Sequence, residues 1–246
     1  MNSMLTGKVI VVTGGLGLIG QSLCKSILDE GGVPISLDIK DSVSSDYECL
    51  VCDCTNETSV KQQIDCIVSR HGRIDGLVHS AYPKSERWGQ SFEKITYESI
   101  CIDLSLQLGA SILISKIFHE LFLHQGSGSF VHISSIQGIA SPKFNHYIGT
   151  NMTSPIEYAA IKAGIISITK WLAKYSFNTG VRYNCISPGG IIDNQPLQFI
   201  ERYRSSCANI GLLNSSDLSY LTCYLLSDRA KCVTGQNFIV DDGWSL

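Results

Sequence analysis

Charged residues are scarce in this chain. Asp, Glu, Lys and Arg make up 17% of its 246 residues, the net charge is −3, and hydrophobic residues make up 44%. Without a basic excess, the composition gives no sign of a nucleic-acid partner, which requires a positive surface. The hydrophobic content predicts a large buried core. So few surface charges are also typical of a chain that buries part of its surface in an oligomer.

Export and membrane signals are missing as well. Residues 1–8 show no basic segment followed by an apolar run and a small-residue cleavage site. The apolar run at residues 9–12 is far too short to cross a membrane. No linker, low-complexity stretch or internal repeat divides the sequence. We therefore expect one domain over residues 1–246, in a cytoplasmic protein with no membrane partner.

The ten cysteines do not form a metal-binding pattern. Cys49, Cys52 and Cys54 are close together, but no second pair with suitable histidine spacing follows them. Most of the other cysteines lie in apolar periodic stretches, where the residue acts as a small hydrophobe in a reducing compartment. We expect free thiols and no metal.

Short apolar runs alternate with segments of helical periodicity along the chain. The apolar runs predict seven strands, at residues 8–13, 33–37, 49–52, 76–79, 129–133, 181–186 and 237–240. The periodic segments predict helices at residues 19–30, 60–70, 99–124, 155–177 and 217–226, with room for one break in the third. This alternation predicts an α/β fold: a single doubly wound, Rossmann-type domain whose parallel sheet carries helices on both faces.

A glycine-rich turn follows the first predicted strand. Gly14, Gly17 and Gly20 let the backbone turn sharply and let a pyrophosphate approach the N-terminus of the next helix. Leu18 and Ile19 lie where that helix begins, so their backbone is also expected to border the pyrophosphate. The pattern predicts a dinucleotide cofactor.

Acidic residues end the next two predicted strands. Asp38 lies 18 residues after the last glycine of the turn, near the spacing of about 20 for an acid that binds the adenosine ribose. A carboxylate there favours NAD over NADP, although Lys40 could attract a 2′-phosphate. Asp53 could bind the adenine amino group; alternatively it, or the pair at residues 55–56, caps a helix.

Three side chains could carry acid–base chemistry. Tyr158 and Lys162 are four residues apart in a predicted helix, so they share one face. A free tyrosine has a pKa near ~10, which a neighbouring ammonium is expected to lower. Tyr158 could then act as acid or base on an alcohol or ketone. Ser135 follows the fifth strand, where ligands gather in parallel sheets, and could bind the reacting oxygen.

Taken in order, these motifs resemble the short-chain dehydrogenase/reductase family over nearly the whole chain. The resemblance rests on the glycine turn, Asp38, Asp53, the segment 135–138, Tyr158 with Lys162, Pro188-Gly189 and the ending 240–244. It implies that Tyr158 is the acid/base, that Lys162 lowers its pKa and holds the nicotinamide ribose, and that Ser135 orients the substrate. It also implies hydride transfer to or from a nicotinamide. Further cofactor contacts implied by the resemblance are Cys54, Ser80, Ala81, Pro188, Gly189 and Ile191.

Two departures from the family pattern concern the cofactor side. Leu18 stands where the short branch of the family usually has glycine, which makes the spacing similar to the longer, sugar-nucleotide-modifying branch. The segment after the fourth strand reads His-Ser-Ala-Tyr-Pro at residues 79–83 rather than Asn-Asn-Ala-Gly. Tyr82 is therefore expected to shape a different wall of the substrate pocket.

Two more departures lie closer to the substrate. The family's active-site asparagine corresponds to Gln107, whose amide is one methylene further out, with Asp103 as an alternative. Ser135 and Tyr158 are 23 residues apart, more than the family commonly shows. The extra segment, residues 144–154, is polar and contains His146 and Tyr147, which we expect near the site mouth; a solvent-facing loop is the alternative. Residues 190–198 could form a lid.

The sequence thus predicts an NAD(P)-dependent oxidoreductase acting on a small molecule. The polar inserted segment favours a sugar, sugar phosphate or nucleotide sugar. The segment 81–83, the insertion and the ending 241–244 resemble oxidoreductases of flagellin-modification and nonulosonic-acid pathways. Alternatives are a reductase of a small or lipid-like ketone, and a dinucleotide-binding sensor or scaffold without turnover. The resemblance also implies a homodimer or homotetramer formed through helices near residues 104–123 and 155–174.

Overall fold

The computed structural model describes residues 3–42 and 46–246. The strands are β1 (Val9–Thr13), β2 (Val33–Asp38), β3 (Glu48–Val51), β4 (Gly76–His79), β5 (Gly128–Ile133), β6 (Val181–Pro188) and β7 (Asn237–Val240). They form one seven-stranded sheet in the order β3-β2-β1-β4-β5-β6-β7, and each neighbouring pair is parallel. The chain changes direction across the sheet between β1 and β4, and such a switch point opens a ligand crevice at the carboxyl ends of the strands.

Helices connect the strands on both faces of the sheet. They are α1 (Leu18–Asp29), α2 (Glu57–His71), α3 (Tyr97–Leu104), α4 (Ala110–Gln125), α5 (Ile156–Tyr175), α6 (Leu197–Arg204) and α7 (Ser219–Leu226). The predicted fold class and the predicted alternation are therefore confirmed. The long third helix of the prediction is divided by a π-helical turn at Ser105–Gly109. The helix α6 was not predicted.

The central strand β1 shows why the sheet is covered on both sides. Its residues Val9 and Val11 pack into one hydrophobic cluster, whereas Ile10 and Val12 pack into the other. Successive side chains of a strand point to opposite faces, so an uninterrupted β-branched run buries both. Burying each such side chain contributes about 1.5–3 kcal/mol.

Different helices cover the two faces. On the first, α2, α4 and α5 pack against the sheet through residues such as Ile64, Phe118 and Leu172. On the second, α1 and α7 pack through residues such as Leu23 and Leu225. The helical run Tyr97–Gln125 is long and apolar enough to cross a membrane by length and composition. Its buried residues, Phe118 and Phe122 among them, pack in the core beside the sheet, as expected for a core helix.

Two histidines lie side by side in the middle of the sheet. His79 on β4 and His132 on β5 are register partners, and both side chains are buried. Burial lowers the pKa of His79 to about 3, and it lowers the pKa of His132 well below its usual value. Each ring nitrogen contacts a hydroxyl oxygen: Thr13 at 2.7 Å and Ser111 at 3.1 Å for His79, Ser115 and Thr169 at 3.0 Å for His132.

Candidate active site

The glycine turn between β1 and α1 forms a cradle of bare backbone. Gly14 has a φ of +66°, and a Cβ there would lie 2.7 Å from the Cα of Ala81. A Cβ on Gly20 would lie 2.1 Å from the carbonyl oxygen of Gly14. Gly17 precedes α1 without a capping side chain. The first N–H groups of α1, from Leu18 and Ile19, are therefore left for an anion such as a pyrophosphate.

Asp38, at the end of β2, lies against this turn. Its carboxylate accepts hydrogen bonds from the backbone N–H groups of Leu16, at 3.1 Å, and Lys40, at 3.2 Å. The acid therefore lies next to the anion cradle, as the sequence predicted. These residues fit an adenine dinucleotide, with the pyrophosphate on the turn and the ribose near the carboxylate.

The predicted adenine contacts have visible structural roles. The carboxylate of Asp53 accepts hydrogen bonds from the N–H and the hydroxyl of Thr55, at 2.8 and 2.7 Å. Asn56, not Asp53, caps α2 by accepting from Ser59 N–H at 3.1 Å. The thiol of Cys54 packs into the core, and the hydrogen bond that it donates to the neighbouring Cys52 sulfur, together with burial, raises its pKa.

Ser80 and Ala81 follow β4 and close the crevice at the switch point. The Ser80 hydroxyl donates to the carbonyl of Thr13 at 2.6 Å, which ties the ends of β1 and β4 together. On the far side, Gly189 follows Pro188 at the end of β6 and donates its N–H to Val240 at 2.8 Å. Ile191 pairs with Leu213 in an isolated bridge, so the base of the predicted lid is anchored to the C-terminal part of the chain.

The three predicted catalytic side chains meet at the carboxyl end of β5. Ser135 hydrogen-bonds the phenol of Tyr158, and both Ser135 and Lys162 are 7% exposed. The Lys162 ammonium donates to the carbonyl of Ile133 at 3.1 Å and lies 5.5 Å from the centre of the Tyr158 ring. The Ser134 hydroxyl donates to the Lys162 carbonyl at 2.7 Å, which fixes α5 to the strand end.

The electrostatics of this group differ from the sequence expectation. Burial raises the pKa of Tyr158, and the hydrogen bond with Ser135 opposes that rise. The expected lowering by Lys162 is therefore wrong for the protein without a cofactor. Burial lowers the pKa of Lys162 to about 8, so the enclosed ammonium is itself destabilised. Desolvation is the largest influence on the pKa of both groups.

Aromatic rings enclose Tyr158. The Tyr82 and Trp88 rings contact the Tyr158 ring edge-on, with centroids 5.7 and 6.1 Å away, and lie 5.6 Å from each other. The Lys162 ammonium faces the Tyr82 ring at 5.4 Å. Tyr82 thus lies against both Tyr158 and Lys162. Trp88 was missed, because a single tryptophan in a loop gives no sequence signal.

Gln107 lies in the π-helical turn between α3 and α4. The side chain is 4% exposed, and neither its Nε2 nor its Oε1 has a hydrogen-bond partner among the described residues. An unpaired buried amide costs free energy, and π-helical turns frequently mark functional sites. Asp103, the predicted alternative, is already engaged: its carboxylate binds the N–H and hydroxyl of Ser85 at 3.1 and 3.0 Å. It anchors the loop after β4.

The inserted segment divides into two parts. His146 is 1% exposed, packs edge-on against Phe199 and Trp244, and hydrogen-bonds Ser206 at 3.0 Å. It holds α6 against the C-terminal segment and does not line the cleft, so the structure does not bring it to the substrate side. Tyr147 does line the cleft. The expectation of a site-mouth position thus fits Tyr147 and not His146.

A cleft of about 860 Å³ runs along the start of α5, where it is lined by Glu157 and Ala159 on either side of Tyr158 in sequence but not by Ser135, Tyr158 or Lys162. Gln137 and Ser154, joined by a 2.7 Å hydrogen bond, line it, as does Tyr147, whose hydroxyl accepts from Gln137 at 3.4 Å. The buried acid Glu157, next to Tyr158 in sequence, also lines it. Apolar side chains supply much of the rest: Phe92, Ile95, Ile139, Phe144, Met152 and Ile156. Within residues 3–42 and 46–246, no group of three His, Cys, Asp or Glu side chains is placed to hold a metal.

Comparisons with known proteins agree with this geometry. Residues 34–245 match the profile of the family described as enoyl-(acyl carrier protein) reductase. The post-translational flagellin modification protein A of Campylobacter coli is 41% identical, over 99% of this chain and 100% of that protein. The 7alpha-hydroxysteroid dehydrogenase of Bacteroides fragilis is 26% identical, over 97% of this chain and 95% of that one.

A solved structure extends the likeness to the cofactor. The short-chain dehydrogenase of Leptospira borgpetersenii, solved with bound NAD+, is 32% identical and superposes with a TM-score of 0.90, covering 100% of this chain and 95% of that one. An enzyme with a dinucleotide cofactor is therefore supported by sequence, fold and site together. The chain belongs to the short-chain dehydrogenase/reductase family.

Proposed function

We propose that this oxidoreductase interconverts a hydroxyl and a ketone on a sugar, sugar phosphate or nucleotide sugar, with Tyr158 as the acid/base. The observation that carries the proposal is the meeting of Ser135, Tyr158 and Lys162 at the carboxyl end of β5. When bound, the dinucleotide supplies or accepts the hydride. In reduction, the Tyr158 phenol donates its proton to the carbonyl oxygen, and in oxidation it takes the hydroxyl proton.

The other residues of the site support that proton transfer. The Ser135 hydroxyl donates a hydrogen bond to the reacting oxygen, whose charge changes during the reaction. Lys162 binds the nicotinamide ribose and favours the phenolate once a ligand gives the ammonium further acceptors. Gln107 offers a buried amide that has no hydrogen-bond partner among the described residues, and its proposed role is to hold a water that delivers protons.

The proposed sugar substrate rests on two observations. The Gln137, Ser154 and Tyr147 side chains form a hydrogen-bonded polar row along the cleft, which suits a ligand rich in hydroxyls. The relative that is 41% identical is a flagellin modification protein, in keeping with the resemblance to flagellin-modification and nonulosonic-acid pathways.

NAD is the proposed preferred cofactor, ahead of NADP. The Asp38 carboxylate beside the glycine turn would repel a 2′-phosphate, and the Leptospira borgpetersenii relative binds NAD+. Asp53 is proposed to meet the adenine, with Ser80, Ala81 and the segment from Pro188 to Ile191 bordering the rest of the cofactor.

We further propose a single-domain cytoplasmic enzyme that forms a homodimer or homotetramer. All ten cysteines are free thiols, which suits a reducing compartment. Exposed apolar residues lie on both long helices, including Ile112 on α4 and the stacked pair Trp171 and Tyr175 on α5. An interface through α4 and α5 would cover them.

A second candidate substrate is a lipid-like or small apolar ketone. The apolar side chains of the cleft and the 26% identity to a hydroxysteroid dehydrogenase favour it. A panel of sugars, sugar phosphates, nucleotide sugars, steroids and small ketones, assayed by nicotinamide absorbance at 340 nm, separates the candidates. Turnover of an apolar ketone alone would contradict the sugar assignment. The absence of any hydride transfer would favour the sensor alternative.

A further inference from the structure

Glu157 is a buried acid that the proposed chemistry leaves unused. Its side chain lies in the first turn of α5, immediately before the catalytic tyrosine, and is 5% exposed. Its Oε2 has no hydrogen-bond partner among the described residues. A buried carboxylate oxygen without a hydrogen-bond donor costs free energy. A bound ligand that donates to this oxygen would remove that cost.

The position of Glu157 suggests where that partner comes from. The residue lines the cleft together with Gln137, Tyr147 and Ser154. Tyr147 influences the pKa of the Tyr158 phenol, so this polar row extends toward Tyr158. A molecule held against the row would therefore reach the Glu157 carboxylate, which directly precedes Tyr158 in α5.

The charged side chains that line the cleft are acidic. Its lining includes two acids, Glu93 and Glu157, and none of the described lining residues is Lys, Arg or His. The nearby Lys143 is turned away, because its ammonium donates to the Trp244 carbonyl at 3.0 Å and lies 4.7 Å from the Trp244 ring. Phosphates and carboxylates are normally met by cations, and this lining offers none.

We propose that Glu157 is a specificity-determining residue, whose carboxylate accepts hydrogen bonds from a hydroxyl or ammonium group of the substrate and repels phosphate and carboxylate groups. This inference rests on the proposed function and narrows it. The part of the substrate that fills the cleft is then a neutral or amino-bearing sugar ring. Any phosphate or nucleotide group must lie outside the cleft.

A simpler role for Glu157 is that an acid in the first turn of a helix favours the helix dipole. That role needs neither burial nor a position in a cleft. It also predicts a change in stability without a change in ligand preference. The two roles are therefore separable by measuring both quantities in the same variants.

The test compares four probes that share one ring and differ in charge: glucose, glucosamine, glucose 6-phosphate and glucuronate. Their affinities for the full chain with saturating NAD+ are measured by saturation-transfer NMR. We expect the wild type to bind glucose and glucosamine at least about tenfold more tightly than the two anions. In Glu157→Gln the ratio of the affinity for glucosamine to the affinity for glucose 6-phosphate should fall by about tenfold or more. Glu157→Asp keeps the charge and should retain most of this preference.

Glu98→Gln is the matched control, since Glu98 is an exposed acid in the first turn of α3 and outside the cleft. It should leave all four affinities unchanged. Equal binding of the four probes, no binding of any of them, or the same ratio in Glu157→Gln as in the wild type would each overturn the inference. Sedimentation of Glu157→Gln shows whether a second copy of the chain fills the cleft instead, and a changed oligomeric state with no sugar binding would also overturn it.

This inference and the proposed function can fail separately. If a sugar is turned over but the ratio is insensitive to Glu157→Gln, only the role of Glu157 is lost. If the binding is charge-selective but no sugar on the panel is oxidised or reduced, only the proposed function is lost.

Discussion

The carboxylate of Asp38 accepts the backbone N–H of Leu16 at 3.1 Å, which joins the end of β2 to the glycine turn. Its second oxygen accepts the N–H of Lys40 at 3.2 Å. A carboxylate has about four acceptor positions, so positions remain for ribose hydroxyls. The same acid therefore shapes the turn and, in the proposed binding mode, presents negative charge where NAD and NADP differ.

Replacing Asp38 should change the choice of cofactor. In Asp38→Ala we expect the ratio of kcat/KM for NAD to kcat/KM for NADP to fall by about tenfold or more. The substitution removes the repulsion between the carboxylate and the 2′-phosphate of NADP, and a tenfold change corresponds to about 1.4 kcal/mol. Steady-state kinetics with both cofactors measure the ratio. Asp41→Ala, at an exposed acid three residues further on, should leave it unchanged. An unchanged ratio in Asp38→Ala would show that this acid does not select the cofactor.

Removing the Tyr158 hydroxyl should stop the reaction and spare the cofactor site. In Tyr158→Phe we expect kcat to fall by at least about a hundredfold, the lower range for general acid–base catalysis. The dissociation constant for NADH, followed by its fluorescence, should stay within about threefold, a change of less than 1 kcal/mol. Tyr220→Phe, at a tyrosine on α7 that is 75% exposed, should change neither quantity. Full turnover in Tyr158→Phe would rule out its acid/base role.

The fold was predictable because its signals are local and repeated. The apolar residues 9–12 of β1 point alternately into the hydrophobic clusters on the two faces of the sheet, and no polar residue interrupts them. The helix α6 is only eight residues long, so its apolar pair Phe199 and Tyr203 is a short signal, and the two side chains pack with Trp244 in a small cluster. Those contacts join segments far apart in sequence, so periodicity within one segment could not reveal them.

The site was predictable only as far as its motifs reach. Ser135, Tyr158 and Lys162 follow a known order, and the structure brings them together. His146 was expected near the substrate because it is a histidine in a polar insertion, but aromatic partners from α6 and the C-terminal segment enclose it. Glu157 was overlooked, although an acid directly before Tyr158 was visible in the sequence.

The buried amide of Gln107 is expected to lower the free energy of unfolding and to raise kcat. Both of its buried amide atoms lack partners among the described residues, and an unpaired buried polar group costs about 1–3 kcal/mol. We expect Gln107→Leu to leave the free energy of unfolding unchanged or to raise it by about 1 kcal/mol, while kcat falls by about tenfold or more. Urea unfolding and steady-state kinetics measure the two effects.

Two further variants define the role of that amide. Gln62→Leu, at an exposed glutamine on α2, is the control and should not lower kcat. Gln107→Asn, which restores the residue that the family commonly has, should keep more activity than Gln107→Leu. A stability loss in Gln107→Leu with normal kcat would mean that the amide serves the fold and not the reaction.

The buried histidine pair should make the protein sensitive to acid. The pKa of His79 is lowered to about 3 by burial, whereas an unfolded histidine has a pKa of about 6.5. Between these values the unfolded chain binds more protons than the native one, so stability must fall as pH decreases. The stabilisation is fully present above about pH 6.5 and is lost toward pH 3, at up to about 1.4 kcal/mol per pH unit for one histidine.

The contribution of His79 can be isolated by comparing variants. His79→Asn should make the pH dependence shallower by up to that slope, even though the variant is less stable near pH 7 because it loses contacts with Thr13 and Ser111. His124→Asn, at an exposed histidine on α4, should leave the pH dependence as it is. Urea unfolding at several pH values between 4 and 7 measures the slopes. Identical slopes in the wild type and His79→Asn would mean that His79 is already protonated in the folded protein, and the network of hydroxyls around it would then have to accept a buried cation.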